Sequence, residues 1–221
     1  SRFVSMASHE FRTPLTTINS SATLIQKYYD KKMFDGTPKH VKRIKGAVSN
    51  LTNILNDFLS IEKLESGRVN VNWSEINLYE LFLDIRDEMT GLQKEEQEIR
   101  IEGTPAYVIR SDIHLLKNIF INLISNALKY SSGSDPVVVR YFTEDKHTVV
   151  EIQDFGIGIP EEDQNKMFDR FFRAGNALNI EGTGLGLHIV TKYLELLNGK
   201  ISFVSKQNVG TTFTVRLPHI N

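Results

Sequence analysis

A histidine followed directly by a carboxylate lies near the start of the chain, within Ser8-His9-Glu10-Phe11-Arg12-Thr13-Pro14-Leu15. A neutral imidazole is a nucleophile at pH 7, and a carboxylate that holds the proton on one ring nitrogen makes the other nitrogen better at attack. We predict that His9 is a nucleophile and Glu10 its base, with Thr13 one helical turn further on the same face. A zinc protease is excluded, because its motif needs a second histidine where Thr13 stands. The alternative is an ordinary surface histidine.

Two amphipathic helices are predicted to carry this histidine. Apolar residues recur at three- and four-residue steps in each, at Phe11, Leu15, Ile18, Ala22 and Ile25 and then at Ile44, Val48, Leu51, Leu55 and Phe58. The turn signal Asp35-Gly36-Thr37-Pro38 separates them, and Pro14 predicts a kink beside His9. A hairpin of this kind leaves an apolar face uncovered, so we predict a homodimer whose N-terminal helices form a four-helix bundle. The alternative is that the hairpin packs on the rest of its own chain.

The second half of the chain mixes helices with paired strands. We predict helices at Leu78–Leu92, Asp112–Tyr130 and Gly184–Leu197. The predicted strands are Arg68–Trp73, Glu98–Glu102, Tyr107–Arg110, Pro136–Thr143, His147–Gln153, Lys200–Ser205 and Thr211–Leu217. The fold class is therefore α+β, with a hairpin domain at 1–67 and a sandwich of one sheet under a layer of helices at 68–221.

Polar residues on the predicted 112–130 helix have a spacing that suits phosphate and metal. Asn122 and Asn126 share one face, with Lys129 and Tyr130 one turn further. Asparagine is unfavourable inside helices, so two on one face suggest a polar role such as holding hydrated Mg²⁺ with its phosphates. The alternative is an exposed polar face.

Three further segments suggest a nucleotide site. Asp154 ends a strand, where its carboxylate could accept from the exocyclic amine of adenine, and Gly156 and Gly158 allow close backbone approach. Phe168, Arg170, Phe171 and Arg173 lie in a loop-rich region that could form a mobile lid. Gly182-Thr183-Gly184-Leu185-Gly186 then opens a helix, whose free N–H groups can face an anion.

Composition narrows the class of protein. The 221 residues are 40% hydrophobic, and their net charge of -1 gives no electrostatic case for nucleic acid. The absence of cysteine excludes a disulfide framework and thiolate metal sites. No stretch approaches the roughly 20 apolar residues that span a bilayer, so we expect a soluble, globular chain without membrane contact. Ser1 already lies in a helical pattern, so we expect a piece of a longer protein.

Together these motifs resemble those of sensor histidine kinases. The octet from Ser8 to Leu15 resembles their phosphoacceptor box, departing only at Phe11, where leucine is usual. The four later segments resemble, in order, the N, G1, F and G2 boxes of the Bergerat-fold ATP site. Gyrase-type ATPases, mismatch-repair ATPases and a heat-shock chaperone share that site, and the acceptor box selects histidine kinases among them. The resemblance covers about Phe3 to Pro218.

The resemblance implies ATP and Mg²⁺ as cofactors and assigns roles at the site. Asn126 would be the main Mg²⁺ ligand, with Asn122 assisting, while Lys129 and Tyr130 would contact the nucleotide. Asp154 would read adenine beside the Gly156 and Gly158 turn. The segment Gly182, Thr183, Gly184, Leu185 and Gly186 would form the lid hinge and phosphate wall. Arg173 would reach the γ-phosphate, with Arg170 a weaker candidate, and Phe168 and Phe171 would anchor the lid.

The implied reaction is a phosphorelay. ATP would phosphorylate His9, and an aspartate of a response regulator receiver domain would take the phosphoryl group; Thr13 matches a position that assists regulator dephosphorylation in many members. The chain would be the cytoplasmic portion of a longer bacterial sensor, with or without a membrane anchor. Two rivals stay open, an ATPase of the same superfamily that uses the hairpin only to dimerise and a scaffold that transfers no phosphate. A eukaryotic-type kinase is rejected, because Asp154-Phe155-Gly156 lacks the accompanying motifs.

Overall fold

A computed structural model describes residues 2–32, 35–91, 93–94, 97–131, 133, 135–180 and 182–220, with residues 2–7 and 9 described through their backbone alone. The chain divides into two compact units, Ser1–Arg68 and Val69–Asn221. In the part of the chain that these ranges cover, no helix combines the length and the apolar character needed to cross a bilayer.

The first unit is a hairpin of two helices, α1 (Arg2–Asp30) and α2 (Thr37–Glu65). Helix α1 continues through Pro14. Helix α2 has its proline in the first turn, where a missing N–H costs no hydrogen bond. It ends at Glu65. Gly67 follows with a φ of +64° that suits glycine, and the Arg68 N–H returns to the Lys63 carbonyl at 3.1 Å. The predicted helices and the turn between them are confirmed.

The hairpin buries one seam and leaves a second apolar stripe uncovered. The buried residues of α2 recur every seven positions, at His40, Ala47, Ile54 and Ile61. Ring contacts of 5.7 Å between Phe11 and Phe58 and 5.6 Å between Tyr28 and His40 mark the two ends of the seam. The second stripe is 36–52% exposed and consists of Leu15, Leu24, Val41, Val48, Leu55 and Leu59. A seven-residue repeat of apolar positions is the pattern by which helices pack side by side.

The second unit contains the remaining helices and all seven described strands. Its helices are α3 (Leu78–Met89), α4 (Ile113–Tyr130), α5 (Glu161–Gln164) and α6 (Gly186–Leu196). Its strands are β1 (Ser74–Asn77), β2 (Ile99–Glu102), β3 (Val108–Ser111), β4 (Val137–Glu144), β5 (His147–Asp154), β6 (Lys200–Lys206) and β7 (Gly210–Pro218). A single 3₁₀ turn, Gly175–Ala177, lies in the long loop before α6.

A five-stranded sheet in the order β2-β4-β5-β7-β6 forms the base, and β1 and β3 pair as a separate ladder. Only β2 and β4 are parallel within the larger sheet. Alternate residues of β7 are buried, which gives the sheet one face toward the helices. The α+β prediction is confirmed, but the strand predicted at Arg68–Trp73 is wrong. The first strand instead begins at Ser74, where pairing with Ser111 becomes available.

Helix α4 is the central helix of this unit. Its apolar face is fully buried, with the rings of Phe82 and Phe120 4.9 Å apart where α3 packs on it. Asp112 caps the helix by accepting from the His114 N–H at 2.9 Å and the Leu115 N–H at 3.1 Å. This packing fixes α4 and therefore the direction in which its polar face points.

Candidate functional site

The polar face of α4 lies against the glycine-rich segment that precedes α6. A Cβ added to Gly186 would lie 2.6 Å from Asn122 Oδ1, and one added to Gly182 would lie 2.7 Å from Lys129 Nζ. Asn122 Nδ2 donates to the Asn118 carbonyl at 3.0 Å, so its amide oxygen is the atom turned toward α6. Asn126, half-buried, is four residues after Asn122 on the same face. The fold thus brings together residues about 60 positions apart in the sequence.

Positive charge gathers at the C-terminal end of α4. Lys129 Nζ lies 5.0 Å from the centre of the Tyr130 ring. Burial raises the pKa of Tyr130, and the positive charge of Arg173 opposes that increase. The Tyr130 hydroxyl is 3.8 Å from the position of a Cβ on Gly182. Lys129, Tyr130 and Arg173 therefore surround the start of the glycine-rich segment, where an anionic group would be attracted.

A buried carboxylate closes the end of β5. Asp154 Oδ1 accepts from the Gly156 N–H at 2.9 Å. Burial raises the pKa of Asp154 to about 6, although hydrogen bonds from the backbone of Gly156 and Thr211 oppose the increase. A buried acceptor at a strand end, held in place by backbone donors, is suited to reading an amine on a flat ring.

The turn after Asp154 requires both of its glycines. A Cβ on Gly156 would lie 2.1 Å from the Tyr130 carbonyl oxygen, and one on Gly158 would lie 2.1 Å from the Lys206 carbonyl oxygen. Gly158 also has a φ of +59°. The turn is thus clamped between the end of α4 and the β6–β7 turn, which fixes Asp154 relative to Asn122 and Lys129.

The loop at residues 165–185, described except at residue 181, is fastened by its own side chains. Arg173 donates to the carbonyls of Ala177 at 2.7 Å and Leu178 at 3.1 Å, and also to that of Ile180. Its Nε is buried and has no hydrogen-bond partner among the described residues. Arg170 Nε donates to His188 Nε2 at 2.9 Å. Both arginines predicted to contact phosphate therefore bind protein atoms in this conformation.

The two ends of this loop meet beside α6. The Phe171 N–H donates to the Gly184 carbonyl at 2.9 Å, and both residues have positive φ. Phe168 anchors the loop on the sheet, with its ring 5.7 Å from that of Phe203. The Thr183 hydroxyl accepts from the Leu185 N–H at 3.2 Å, which orders the entry to α6. Leu185 is fully buried, so only its backbone could face a ligand.

The predicted phosphoacceptor lies on α1, and the structure describes its backbone but not its side chain. His9 belongs to the uninterrupted helix, with Glu10 half-buried and Thr13 exposed one turn later. The Thr13 carbonyl accepts from the Thr17 hydroxyl at 3.2 Å, so the turn after His9 has additional support. The predicted pairing of His9 with Glu10 falls outside the described residues.

Three residues that hold the loop were not predicted from the sequence. Asp163 Oδ2 accepts from the Gly175 N–H at 2.8 Å, and Asn176 Nδ2 donates to the Gly158 carbonyl at 2.9 Å. His188 contacts Arg170 and the Phe168 carbonyl. Asn176 stands in a polar run that reads as ordinary loop, and His188 follows the glycines by only two residues. Nothing in their spacing distinguishes these residues from solvent-exposed positions.

The side-chain oxygens on the polar face of α4 suit a hard divalent cation that is also coordinated by the phosphates of a bound substrate. The described residues contain no group of three or more histidine, cysteine or acidic side chains that could hold a metal alone. The amide oxygen of Asn122 instead faces the space that only glycine at position 186 leaves open. Mg²⁺ is commonly bound by one or two protein oxygens together with substrate phosphates, so Asn122 and Asn126 fit this role.

Two family descriptions account for the whole chain apart from its middle. Residues 1–67 match the His Kinase A (phospho-acceptor) domain, and residues 111–221 match the histidine kinase-, DNA gyrase B- and HSP90-like ATPase family. The chain belongs to the sensor histidine kinases. This agrees with the placement of Asp154 and the α4 polar face in the second unit and of His9 in the first.

Individual relatives support the assignment. The chain is 30% identical over 223 residues to the sensor histidine kinase RcsC of Escherichia coli, covering 99% of this chain and 23% of that protein. It is 31% identical over 220 residues to the signal transduction histidine-protein kinase ArlS of Staphylococcus aureus, covering 97% and 48%. Histidine kinase ThkA, solved in complex with response regulator protein TrrA, has the same fold at a TM-score of 0.76 and 22% identity, covering 100% of this chain and 62% of that one. This kinase chain spans less than half the length of the two curated relatives.

Proposed function

We propose that this chain is an ATP-dependent protein-histidine autokinase that phosphorylates its own His9 and passes the phosphoryl group to an aspartate of a response regulator. The proposal rests on two close approaches within the unit that holds Asp154. Asn122 Oδ1 lies against Gly186, and Lys129 Nζ lies against Gly182. A ligand with both a flat polar ring and an anionic tail would use all of these groups.

Each group has a distinct task in this proposal. Asp154 accepts from the exocyclic amine of adenine, and the backbone of Gly156 and Gly158 allows the ring to approach. Lys129 and the N-terminal end of α6 attract the phosphates. Asn126 and Asn122 would hold Mg²⁺, which would supply positive charge to the phosphate oxygens. Arg173 exchanges its loop carbonyls for the γ-phosphate, and Thr183 and Gly184 form the hinge of the loop.

Transfer requires an in-line approach of the histidine to the γ-phosphate. Glu10 holds the proton on one nitrogen of His9, so the other nitrogen attacks as a neutral base. Because His9 and Asp154 belong to different units, the residues at 67–73 must permit the two units to approach each other. Transfer from ATP to histidine conserves a high-energy bond, so an aspartate can then take the phosphoryl group.

The chain is proposed to act as a homodimer through its N-terminal helices. The second apolar stripe of the hairpin, defined above, runs at coiled-coil spacing and is exposed in the single chain. We expect Leu55→Asp to convert a dimer into a monomer by size-exclusion chromatography with light scattering. Asn53→Asp, also exposed on α2 but two residues before Leu55 and therefore on another face of the helix, adds the same charge outside the stripe and should leave the mass unchanged. A monomeric parent chain would contradict the proposed dimer.

The partner is proposed to be the receiver domain of a response regulator, because the fold neighbour ThkA was solved with such a protein. We also propose that the chain is the cytoplasmic portion of a longer sensor protein, since it spans only part of its curated relatives. Thr13 is proposed to assist dephosphorylation of the regulator. An unchanged dephosphorylation rate in Thr13→Ala would contradict that role.

The deciding experiment is incubation of the chain with γ-labelled ATP and Mg²⁺. We expect protein-bound label that is acid-labile and base-stable, as for a phosphorylated imidazole. His9→Ala should abolish the label, whereas His114→Ala, which alters an exposed histidine of the second unit, should retain it. Continuous ATP turnover without protein label would favour the ATPase alternative. Nucleotide binding with neither label nor turnover would favour the scaffold.

A further inference from the structure

Two segments that are distant in the sequence are joined by His188, in the first turn of α6. Arg170 Nε donates to His188 Nε2 at 2.9 Å, and His188 Nδ1 lies 3.2 Å from the Phe168 carbonyl. Phe168 and Arg170 precede the central part of the 165–185 loop, while His188 follows it. The imidazole therefore bridges the two ends of the loop that carries Arg173 and the glycine-rich segment.

The contacts specify one protonation state of the ring. An Arg170 N–H can only donate, so Nε2 of His188 must carry no proton and must accept. The remaining proton then lies on Nδ1, from which it donates to the Phe168 carbonyl. A doubly protonated ring would point an N–H at the Arg170 N–H and place two cations side by side. The bridge to Arg170 is therefore incompatible with an imidazolium.

The surroundings favour this neutral form. Burial lowers the pKa of His188; the Phe168 carbonyl opposes this decrease, while the positive charges of Arg170 and Lys192 add to it. Glu195 acts in the opposite direction but is paired with Lys192 at 2.7 Å. The net decrease favours the neutral ring and therefore the bridge to Arg170.

We propose that His188 is a positioning residue that fastens the two ends of the 165–185 loop only while its ring is neutral. The inference deepens the proposed kinase function, because this loop carries groups assigned to the phosphates. When His188 takes a proton, it can no longer accept from the Arg170 N–H, while the Phe171–Gly184 backbone bond and the contacts made by Asp163, Asn176 and Phe168 remain. Acidification thus loosens the loop without unfolding the sheet.

The test follows His188 and the loop amides by NMR of the isotopically labelled full chain without nucleotide, between pH 5 and pH 8. We expect His188 to be the Nδ1–H tautomer at pH 8 and to titrate below the ordinary histidine value. The amide signals of Phe171 and Gly184 should shift with the same midpoint. An Nε2–H tautomer, or loop amides that do not follow the ring, would overturn the proposal.

Variants separate positioning from simple structural support. Gln keeps one acceptor and one donor but does not titrate, so His188→Gln should keep the loop ordered and remove its pH response. His188→Ala should speed hydrogen exchange of the loop amides about tenfold at pH 7.5, as expected for losing a hydrogen bond to a charged group. His147→Gln changes an exposed histidine on β5 and should leave the pH response as in the parent. An equal pH response in His188→Gln would overturn the inference.

The readout is independent of the proposed function. If the pH response of the loop follows His188 but the chain binds no nucleotide at pH 8, the kinase proposal fails and the positioning role stands. If the chain phosphorylates His9 while the loop ignores the protonation of His188, the positioning role fails and the kinase proposal stands.

Discussion

The two sides of the candidate nucleotide site are held by different forces. One side, formed by α4 and the end of β5, rests on a helix face that is almost completely buried. The other side, the 165–185 loop, is fastened by individual hydrogen bonds: the Asp163 carboxylate accepts from a backbone N–H, and Arg173 and Asn176 donate to backbone carbonyls. The first side is pre-organised by packing, whereas the second can be released at low cost. The proposed kinase reaction needs both a fixed site for the base and a segment that moves as phosphate is bound and transferred.

The largest effect is expected on the packed side, at Gly158. Its φ is +59°, and an added Cβ would lie 2.1 Å from a backbone oxygen that cannot move alone. We expect Gly158→Ala to lower the free energy of unfolding by about 3 kcal/mol or more, measured by denaturant titration. Gly133 also has a positive φ, of 61°, but no atom within 4 Å of an added Cβ. Gly133→Ala should therefore cost only about 1 kcal/mol. Equal losses would show that the Gly156 to Gly158 turn is not clamped.

Asp154 should show a conflict between stability and binding. Because the folded pKa of about 6 lies above the ordinary value of 3.8, the folded chain binds the proton more tightly. Stability from this group is present at low pH and is lost as pH rises through about 6. We expect Asp154→Asn to raise the free energy of unfolding at pH 7 by about 1–3 kcal/mol.

The same substitution should weaken nucleotide binding about 100-fold, since an amide presents an N–H where adenine needs an acceptor. Parent affinity should also fall as pH drops through about 6, the pKa of this carboxyl. Isothermal titration with a non-hydrolysable ATP analogue measures both. Tight binding by Asp154→Asn would contradict the assignment of Asp154 as the residue that accepts from the adenine amine, and would leave the end of β5 without an assigned ligand contact.

The sequence predicted the packed side better than the loop, for a physical reason. Periodicity places Asn122, Asn126 and Lys129 on one helix face, and the alternation of β5 ends at Asp154, so their neighbours follow from regular geometry. The predicted strand at Arg68–Trp73 was wrong because alternation alone does not provide a pairing partner, and β3 becomes available only from Ser74. Local pattern is therefore sufficient where an element pairs or packs along its length.

The contacts of the 165–185 loop could not be predicted from periodicity. The predicted importance of Arg170 and Arg173 came from a family motif, and that motif does not state which atoms the arginines contact when phosphate is absent. Asp163, Asn176 and His188 act through tertiary hydrogen bonds between segments 10 to 20 residues apart. These bonds have no periodic signal, since each depends on the closing of one irregular loop.

A smaller, local effect is expected when the loop loses its first attachment. Asp163 Oδ2 holds the Gly175 N–H, so Asp163→Ala should free the start of the 3₁₀ turn. We expect loop amides to exchange about threefold to tenfold faster, with the free energy of unfolding changed by less than about 1 kcal/mol. Glu162→Ala, one residue earlier and exposed, is the matched control and should change neither quantity. Global destabilisation by Asp163→Ala would mean that the loop and the sheet unfold as one unit.

The smallest effect on folding is expected at Arg173, and it distinguishes charge from geometry. One terminal nitrogen of the guanidinium, Nη2, donates to the carbonyls of Ala177 and Leu178, and the ammonium of a lysine, on a shorter side chain, ends about one bond short of that position. Arg173→Lys keeps the positive charge beside Tyr130, so the free energy of unfolding should change by less than about 0.5 kcal/mol. Exchange of the Ala177 to Ile180 amides should nevertheless rise about threefold in the nucleotide-free chain, because the turn loses its shared donor. Suppose that hydrogen exchange of these amides is unchanged in Arg173→Lys but rises in Arg173→Gln. The positive charge of residue 173, and not the hydrogen bonds of its guanidinium, would then order the loop. The two sides of the site would differ less than their hydrogen bonds indicate.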